Sequence, residues 1–148
     1  MNVVLYGSTG KAGSRILAEL TARGHAVKTV SRKKDDLSRV EVIASSIAGA
    51  DAVVSAYAPP AEDTEALVGV TERLAAAVAQ AGVARLIVVG GAASLQVAPG
   101  VTLLASGHLP AEWVPIATAH AKALAVLQGS AINWTFFSPA GFFAPGER

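Results

Sequence analysis

Cysteine is absent from the 148 residues, which excludes disulfides, thiolate-held metals, iron–sulfur clusters and cysteine nucleophiles. The three histidines, His25, His108 and His120, are too dispersed to make a zinc site, so no metal is expected. Charge is scarce as well: 16% of residues are charged, 12 Lys and Arg stand against 11 Asp and Glu, and the formal charge is +1. Such a chain has no general basic field, so neither nucleic acid nor an anionic membrane is an expected partner. Long hydrophobic runs are missing. The most apolar stretch, 74–93, is broken by Gln80, Arg85 and glycines, whereas a membrane span needs roughly 20 mostly apolar residues. Met1 to Gly7 has no basic leader followed by an apolar stretch, so no signal peptide is expected and a cytoplasmic location is.

What is present is apolar material, 52% of the chain, enough for one core and one domain over 1–148. Alanine makes up about one residue in five and suits closely packed helices. Short strands alternate with helical patterns. Apolar runs at 2–6, 26–30, 52–56, 85–89 and 133–137 have the length of buried strands. Between them, Ile16, Leu17 and Leu20 mark a helix over 11–23. Leu37, Val40, Ile43 and Ile47 mark another that ends near Gly49. Leu67, Val70, Leu74 and Val78 mark a third ending near Gly82, and 116–127 reads as a fourth. Residues 90–113 show little periodicity and read as a long loop, a candidate lid. Because parallel strands need right-handed crossovers, the alternation predicts an α/β fold: a doubly wound parallel sheet of five to six strands in three layers, α/β/α.

The first strand runs into Gly7-Ser8-Thr9-Gly10-Lys11-Ala12-Gly13 and then a helix. This is where a dinucleotide pyrophosphate meets free backbone N–H groups at a helix N-terminus. Gly7 makes the tight turn, Gly10 lets the backbone approach phosphate, and Gly13 permits close helix–strand packing. The end of the second strand chooses between cofactors, since an acidic residue there bonds the ribose whereas a basic one neutralises a 2′-phosphate. Here the chain reads Ser31-Arg32-Lys33-Lys34, so NADP is expected over NAD, with Arg32 the stronger ligand and Lys33 beside it.

Three stretches carry a resemblance: 4–14 around the glycine turn, Asp51-Ala52-Val53-Val54-Ser55-Ala56-Tyr57, and Val88-Val89-Gly90-Gly91-Ala92-Ala93-Ser94-Leu95. The chain resembles an atypical short-chain dehydrogenase/reductase with a Rossmann fold. More narrowly, Val97-Ala98-Pro99-Gly100 and the run 133–140 are similar to NADH-flavin reductases, relatives of biliverdin-IXβ reductase and NmrA-like proteins. The resemblance implies that Ala56, Tyr57 and Ala58 flank the adenosine side, and that Gly90, Gly91 and Ser94 face nicotinamide. It further implies that Ser138, Pro139 and Ala140 close over the carboxamide. Ser94 and His120 match a serine and a histidine that such relatives place near the nicotinamide, and are the candidate catalytic residues. Relatives carry an additional strand before the helix that precedes Asp51, whereas here Lys34 runs almost directly into Leu37, so the sheet is expected to be one strand short. They also continue past Arg148 with segments that cover the substrate cleft.

The tyrosine and lysine, four residues apart, of ordinary short-chain dehydrogenases are missing, since neither Tyr6 nor Tyr57 has Lys four positions on. Hydride transfer to a planar acceptor remains open, because the nicotinamide supplies the hydride and the protein need mainly position the acceptor. FMN or FAD is the expected substrate, on a monomer or homodimer. A non-catalytic NAD(P) sensor, in which cofactor occupancy shifts residues 90–113, is an alternative. An epimerase-like activity is a third. Lys122, two residues beyond His120, is expected to point elsewhere around the helix. Trp134 and Phe136 alternate on a strand and should fill core, whereas Phe142 and Phe143 read as ligand or subunit contacts.

Overall fold

Along β1 (Asn2–Tyr6) successive side chains enter opposite faces of the sheet. Val3 and Leu5 join one apolar cluster, and Val4 and Tyr6 join another. Burial on both faces is what a central parallel strand requires, and it accounts for the strand being apolar almost throughout. The computed structural model describes residues 1–141, Ala144 and Gly146. After β1 come α1 (Lys11–Ala22), β2 (Ala26–Val30), α2 (Val40–Ile47), β3 (Ala52–Ser55), α3 (Ala66–Ala81) and β4 (Leu86–Val89). A short antiparallel hairpin, β5 (Gln96–Ala98) and β6 (Val101–Thr102), precedes α4 (Val114–Gln128) and β7 (Trp134–Phe137).

Five strands lie parallel in the order β2-β1-β3-β4-β7. Dinucleotide-binding sheets run 3-2-1-4-5-6, and this is that order without its outermost strand. The sheet is therefore a five-stranded Rossmann-like α/β arrangement, and β2 is left as a largely exposed edge. The side on which successive strands are added reverses between β1 and β3. From β1 the chain crosses by α1 to β2 on one side, whereas α3 leads from β3 to β4 on the other, which opens a crevice above the strands' C-terminal ends.

The main core lies between the sheet and α2, α3 and α4. Val4, Tyr6, Val53, Leu86 and Val88 come from the strands, and Ile43, Ile47, Leu74, Val78 and Leu127 from the helices. Ala119 and Ala123, both fully buried, let α4 lie close to α3. The Tyr6 hydroxyl reaches Ser46 on α2, so the one polar atom that β1 buries here is paired. Trp134 and Phe136 pack against this core as expected.

The opposite face is covered less evenly. Ile16, Leu17 and Leu20 of α1 pack on Val3, Leu5 and Val54, and beyond them an apolar trough of about 750 Å³ runs over β3, β4 and β7. Leu20, Val54, Ile87, Val89 and Phe137 line it, with Lys11 and Arg15 at its α1 wall. The expectation of helices on both faces holds, but with three on one face and α1 on the other.

Two expectations need correction. Residues 90–113 are not one irregular loop: they contain a short 3₁₀ turn at Ala92–Ser94, the β5–β6 hairpin and a second turn at Ala111–Trp113. Gly100 makes the hairpin reversal with φ +75°, and the strands are too short and exposed to give a periodic apolar signal. The second helix begins at Val40 rather than Leu37. Leu37 is buried, but the chain before it is held in turns, with Ser31 N–H donating to Asp35 Oδ2 at 2.9 Å and Ser38 N–H to Asp36. Phe142 and Phe143 lie outside the described residues.

Candidate functional site

Each glycine of the first turn answers a different steric demand. Gly7 takes φ +75°, and a Cβ there would stand 2.2 Å from the Ala56 carbonyl oxygen. This is the point where the turn after β1 touches the turn after β3. At Gly13 a Cβ would meet the Gly7 carbonyl oxygen at 2.1 Å, because α1 starts directly against the turn. Gly10 has the opposite surroundings. Its missing Cβ would meet nothing nearer than the Gly7 oxygen at 3.4 Å, so that side of the turn is open.

Gly10 is also the N-cap of α1, with extended backbone (φ −78°, ψ 172°) and no side-chain cap. The first helical bond is Ser14 N–H to Gly10 O at 2.9 Å. The N–H groups of Lys11, Ala12 and Gly13 therefore lack intrahelical acceptors, and they carry the positive end of the helix dipole. Ser8 is buried in the turn, and Thr9, Gly10 and Lys11 are exposed. An open glycine face beside uncapped N–H groups fits a pyrophosphate.

Arg32 and Lys33 follow β2 on exposed backbone at one end of this crevice. Opposite them, Ala56 is half-buried, the Tyr57 ring is buried in the main core and Ala58 is exposed. Burial pushes the Tyr57 phenol up, while Arg32 and Arg73 are near enough for their charges to pull the other way. Tyr57 stays a neutral hydrogen-bonding group. Arg73, on α3, carried no weight in the sequence; its only trace there was Gly69 four residues earlier, an isolated glycine inside a helical pattern.

At the far end, β4 and β7 deliver a second group of residues. Gly90 N–H donates to Phe137 O at 2.8 Å, and the Ser94 and Ser138 hydroxyls are 3.0 Å apart, which ties the turn after β4 to the end of β7. Gly90 is buried because the Phe136 ring occupies the space of a Cβ, at 2.0 Å. Gly91 gives room to His120 of α4, whose Cδ2 lies 3.1 Å from where a Cβ would be. The His120 ring meets Phe136 edge-on with centroids 6.4 Å apart. Pro139 is buried and Ala140 exposed beside this group. Ser94 and His120, 26 positions apart, thus flank the same pair of strand ends.

Burial lowers the His120 pKa from 6.5, and its Nδ1 is a buried polar atom without a hydrogen-bond partner among the described residues. The ring is neutral at pH 7. Because the unfolded chain takes up this proton more readily, its contribution to stability is full above about pH 6.5 and is lost as pH falls from there towards the folded value. His120→Phe should therefore flatten the pH dependence of the urea midpoint between pH 5 and 7, compared with the unsubstituted protein. An unchanged slope would show that the ring titrates as in the unfolded chain.

Lys122 turns away from the cleft and pairs with Glu65 at 2.5 Å on the surface. His25 lies in the turn before β2 and His108 on exposed chain before α4, and neither is among the residues brought to the strand ends. Among the described residues, no cluster of three His, Asp or Glu side chains could hold a metal.

A parallel sheet reversing between β1 and β3, with a glycine turn and an uncapped helix at the crevice, defines a dinucleotide-binding α/β protein. Comparison with known proteins narrows this. The model of a family described as NAD(P)H-binding matches residues 7–147, and the chain belongs to that family. A crystal structure from Burkholderia pseudomallei, described as a "putative exported protein", is 39% identical with TM-score 0.85, covering 100% of this chain and 76% of the other. A "putative epimerase" from Bacteroides thetaiotaomicron is 34% identical with TM-score 0.88, covering 99% and 74%. A "putative NADH-flavin reductase" from Streptococcus pneumoniae TIGR4 is 31% identical with TM-score 0.87, covering 100% and 76%. No described helix is long and apolar enough to cross a membrane.

Proposed function

We propose that the protein is an NADPH-dependent reductase that passes hydride to a flavin, FMN or FAD, or to a similar planar acceptor. The observation that carries this reading is the arrangement at the strand ends: an open glycine face, a basic residue beyond β2, and, beyond β4 and β7, the Ser94–Ser138 pair with His120 packed against Gly91. In this reading Ser8, Thr9 and the N–H groups after Gly10 hold the pyrophosphate, and Arg32 with Lys33 meets the 2′-phosphate. Ala56, Tyr57 and Ala58 border the adenosine, and Gly90, Gly91, Pro139 and Ala140 border the nicotinamide. NADPH supplies the hydride when bound. Ser94 and His120 position the carboxamide and the acceptor, and Phe136 excludes water beneath them.

Chemistry of this kind needs no tyrosine–lysine donor. Tyr6 is fully buried and bonded to Ser46, and the Tyr57 ring is buried in the main core. Water can provide the proton that a flavin takes up after hydride transfer. The epimerase reading requires a paired acid and base, and among the described residues no hydrogen-bond partner reaches His120 Nδ1. A cytoplasmic location goes with this reading, where a soluble NADPH pool is at hand.

The test is absorbance-monitored oxidation of NADPH and, in parallel, NADH, with and without FMN. Protein- and FMN-dependent oxidation, faster with NADPH and reduced by Ser94→Ala and His120→Ala, is the expected result. Tight NADPH binding with no turnover of any acceptor would replace the reading with a sensor. Arg32→Ala should weaken NADPH binding about tenfold or more, the worth of a charge-assisted hydrogen bond, and leave NADH little changed. Equal losses for both cofactors would remove the 2′-phosphate assignment.

A further inference from the structure

An arginine and a glycine on α3 are shaped for one another. Both terminal nitrogens of Arg73 lie 3.2 Å from where a Cβ of Gly69 would be. The guanidinium therefore folds back one turn towards the N-terminus of α3, over a residue that has no side chain to obstruct it. Glycine inside a helix is less favourable than alanine, so helix formation does not account for its presence here.

The rest of the side chain is anchored. Arg73 Nε–H donates to the Leu37 carbonyl at 2.8 Å, across 36 residues, and Leu37 is buried in the same core as Tyr57. One nitrogen thus holds the shortened connection that carries Arg32. The two terminal nitrogens have no hydrogen-bond partner among the described residues. The result is a half-buried guanidinium, fixed at its base, whose outer edge makes no hydrogen bond among the described residues and whose charge is near enough to act on Tyr57 and on Asp36.

We propose that Arg73 is the second arm of the site for the adenosine 2′-phosphate, and that Gly69 is the notch that lets it reach there. The inference rests on the NADPH reading above and deepens it. Arg32 alone is exposed and hydrated, and holding it against a phosphate costs side-chain freedom. Arg73 has already lost that freedom to the Leu37 bond, and a planar fork with vacant N–H groups matches phosphate oxygens. The phosphate would sit between an arm that arrives with it and an arm that is already in place.

Calorimetric titration of the full chain with NADPH, NADH, adenosine 2′,5′-bisphosphate and 5′-AMP tests this. Arg73→Gln should weaken NADPH and the bisphosphate about tenfold or more, leaving NADH and 5′-AMP within about twofold. Arg73→Lys should restore part of the loss, because it returns the charge without the anchored fork. Should Arg73→Gln fail to fold, Gly69→Ala gives a second route. Its methyl meets only the flexible end of the arginine, 3.2 Å from both terminal nitrogens, and improves the helix, so the guanidinium shifts slightly and the variant should show the same selective loss to a smaller degree than Arg73→Gln. Unchanged NADPH affinity in both variants, or equal loss of NADPH and NADH, overturns the inference while a wild-type preference for NADPH leaves the reading of Arg32 standing. Equal wild-type affinity for NADPH and NADH would overturn both.

Discussion

Gly13→Ala should lower stability by about 3 kcal/mol, at the upper end for overpacking, and with it abolish cofactor binding. The added methyl would lie 2.1 Å from the Gly7 carbonyl oxygen, 2.8 Å from its carbonyl carbon and 3.0 Å from Ser8 Cα. All three are backbone atoms of the turn, so no side chain can rotate away. Either α1 shifts off the sheet or the glycine turn opens. In a domain of this size that loss corresponds to a fall in melting temperature of roughly 6–12 °C. Thermal unfolding followed by circular dichroism checks it, and a melting temperature within 2 °C of the parent protein would show that helix and turn are not packed as described.

Gly10→Val should do the reverse: leave the fold nearly intact and remove binding of both NADPH and NADH. Nothing nearer than 3.4 Å meets the first added atom, and the φ of −78° is open to any residue. The valine side chain would instead stand on the open face of the turn, where the pyrophosphate must approach the N–H groups of Lys11, Ala12 and Gly13. Calorimetry should give no detectable heat with either cofactor, against a melting temperature that changes by only a few degrees. Retained binding would place the phosphates elsewhere and undo the reading of the crevice. The pair of variants separates the two uses of glycine in one seven-residue turn, close packing at Gly13 and clearance at Gly10.

That turn was legible because its constraints are local. Gly7, Gly10 and Gly13 stand at fixed offsets between an apolar run and a helical pattern, and the pattern reports the backbone geometry they serve. The position of Arg32 was legible for the same reason, since it follows the second strand closely. The apolar runs of β3 and β4 announced strands buried on both sides. By contrast, residues 90–113 concealed a hairpin, because strands of three and two mostly exposed residues bury too little to leave a period.

By itself, then, the sequence determined the alternation of strand and helix, the glycine turn and the basic end of the second strand, because each is set by what a short segment buries or by the dihedral angles it needs. It also marked Ser94 and His120 through resemblance, without the means to bring them together. Only the tertiary structure decided that His120 rests in the gap left by Gly91 and that Ser94 meets Ser138 across 44 residues. The same holds for Arg73, which lies back over Gly69 to hold Leu37. It also decided that three helices share one face while α1 leaves a trough on the other. Such neighbours arise from parallel crossovers that join distant segments. Local periodicity states which side of a segment is buried, but the partner against which it is buried is chosen by the packing of the whole chain.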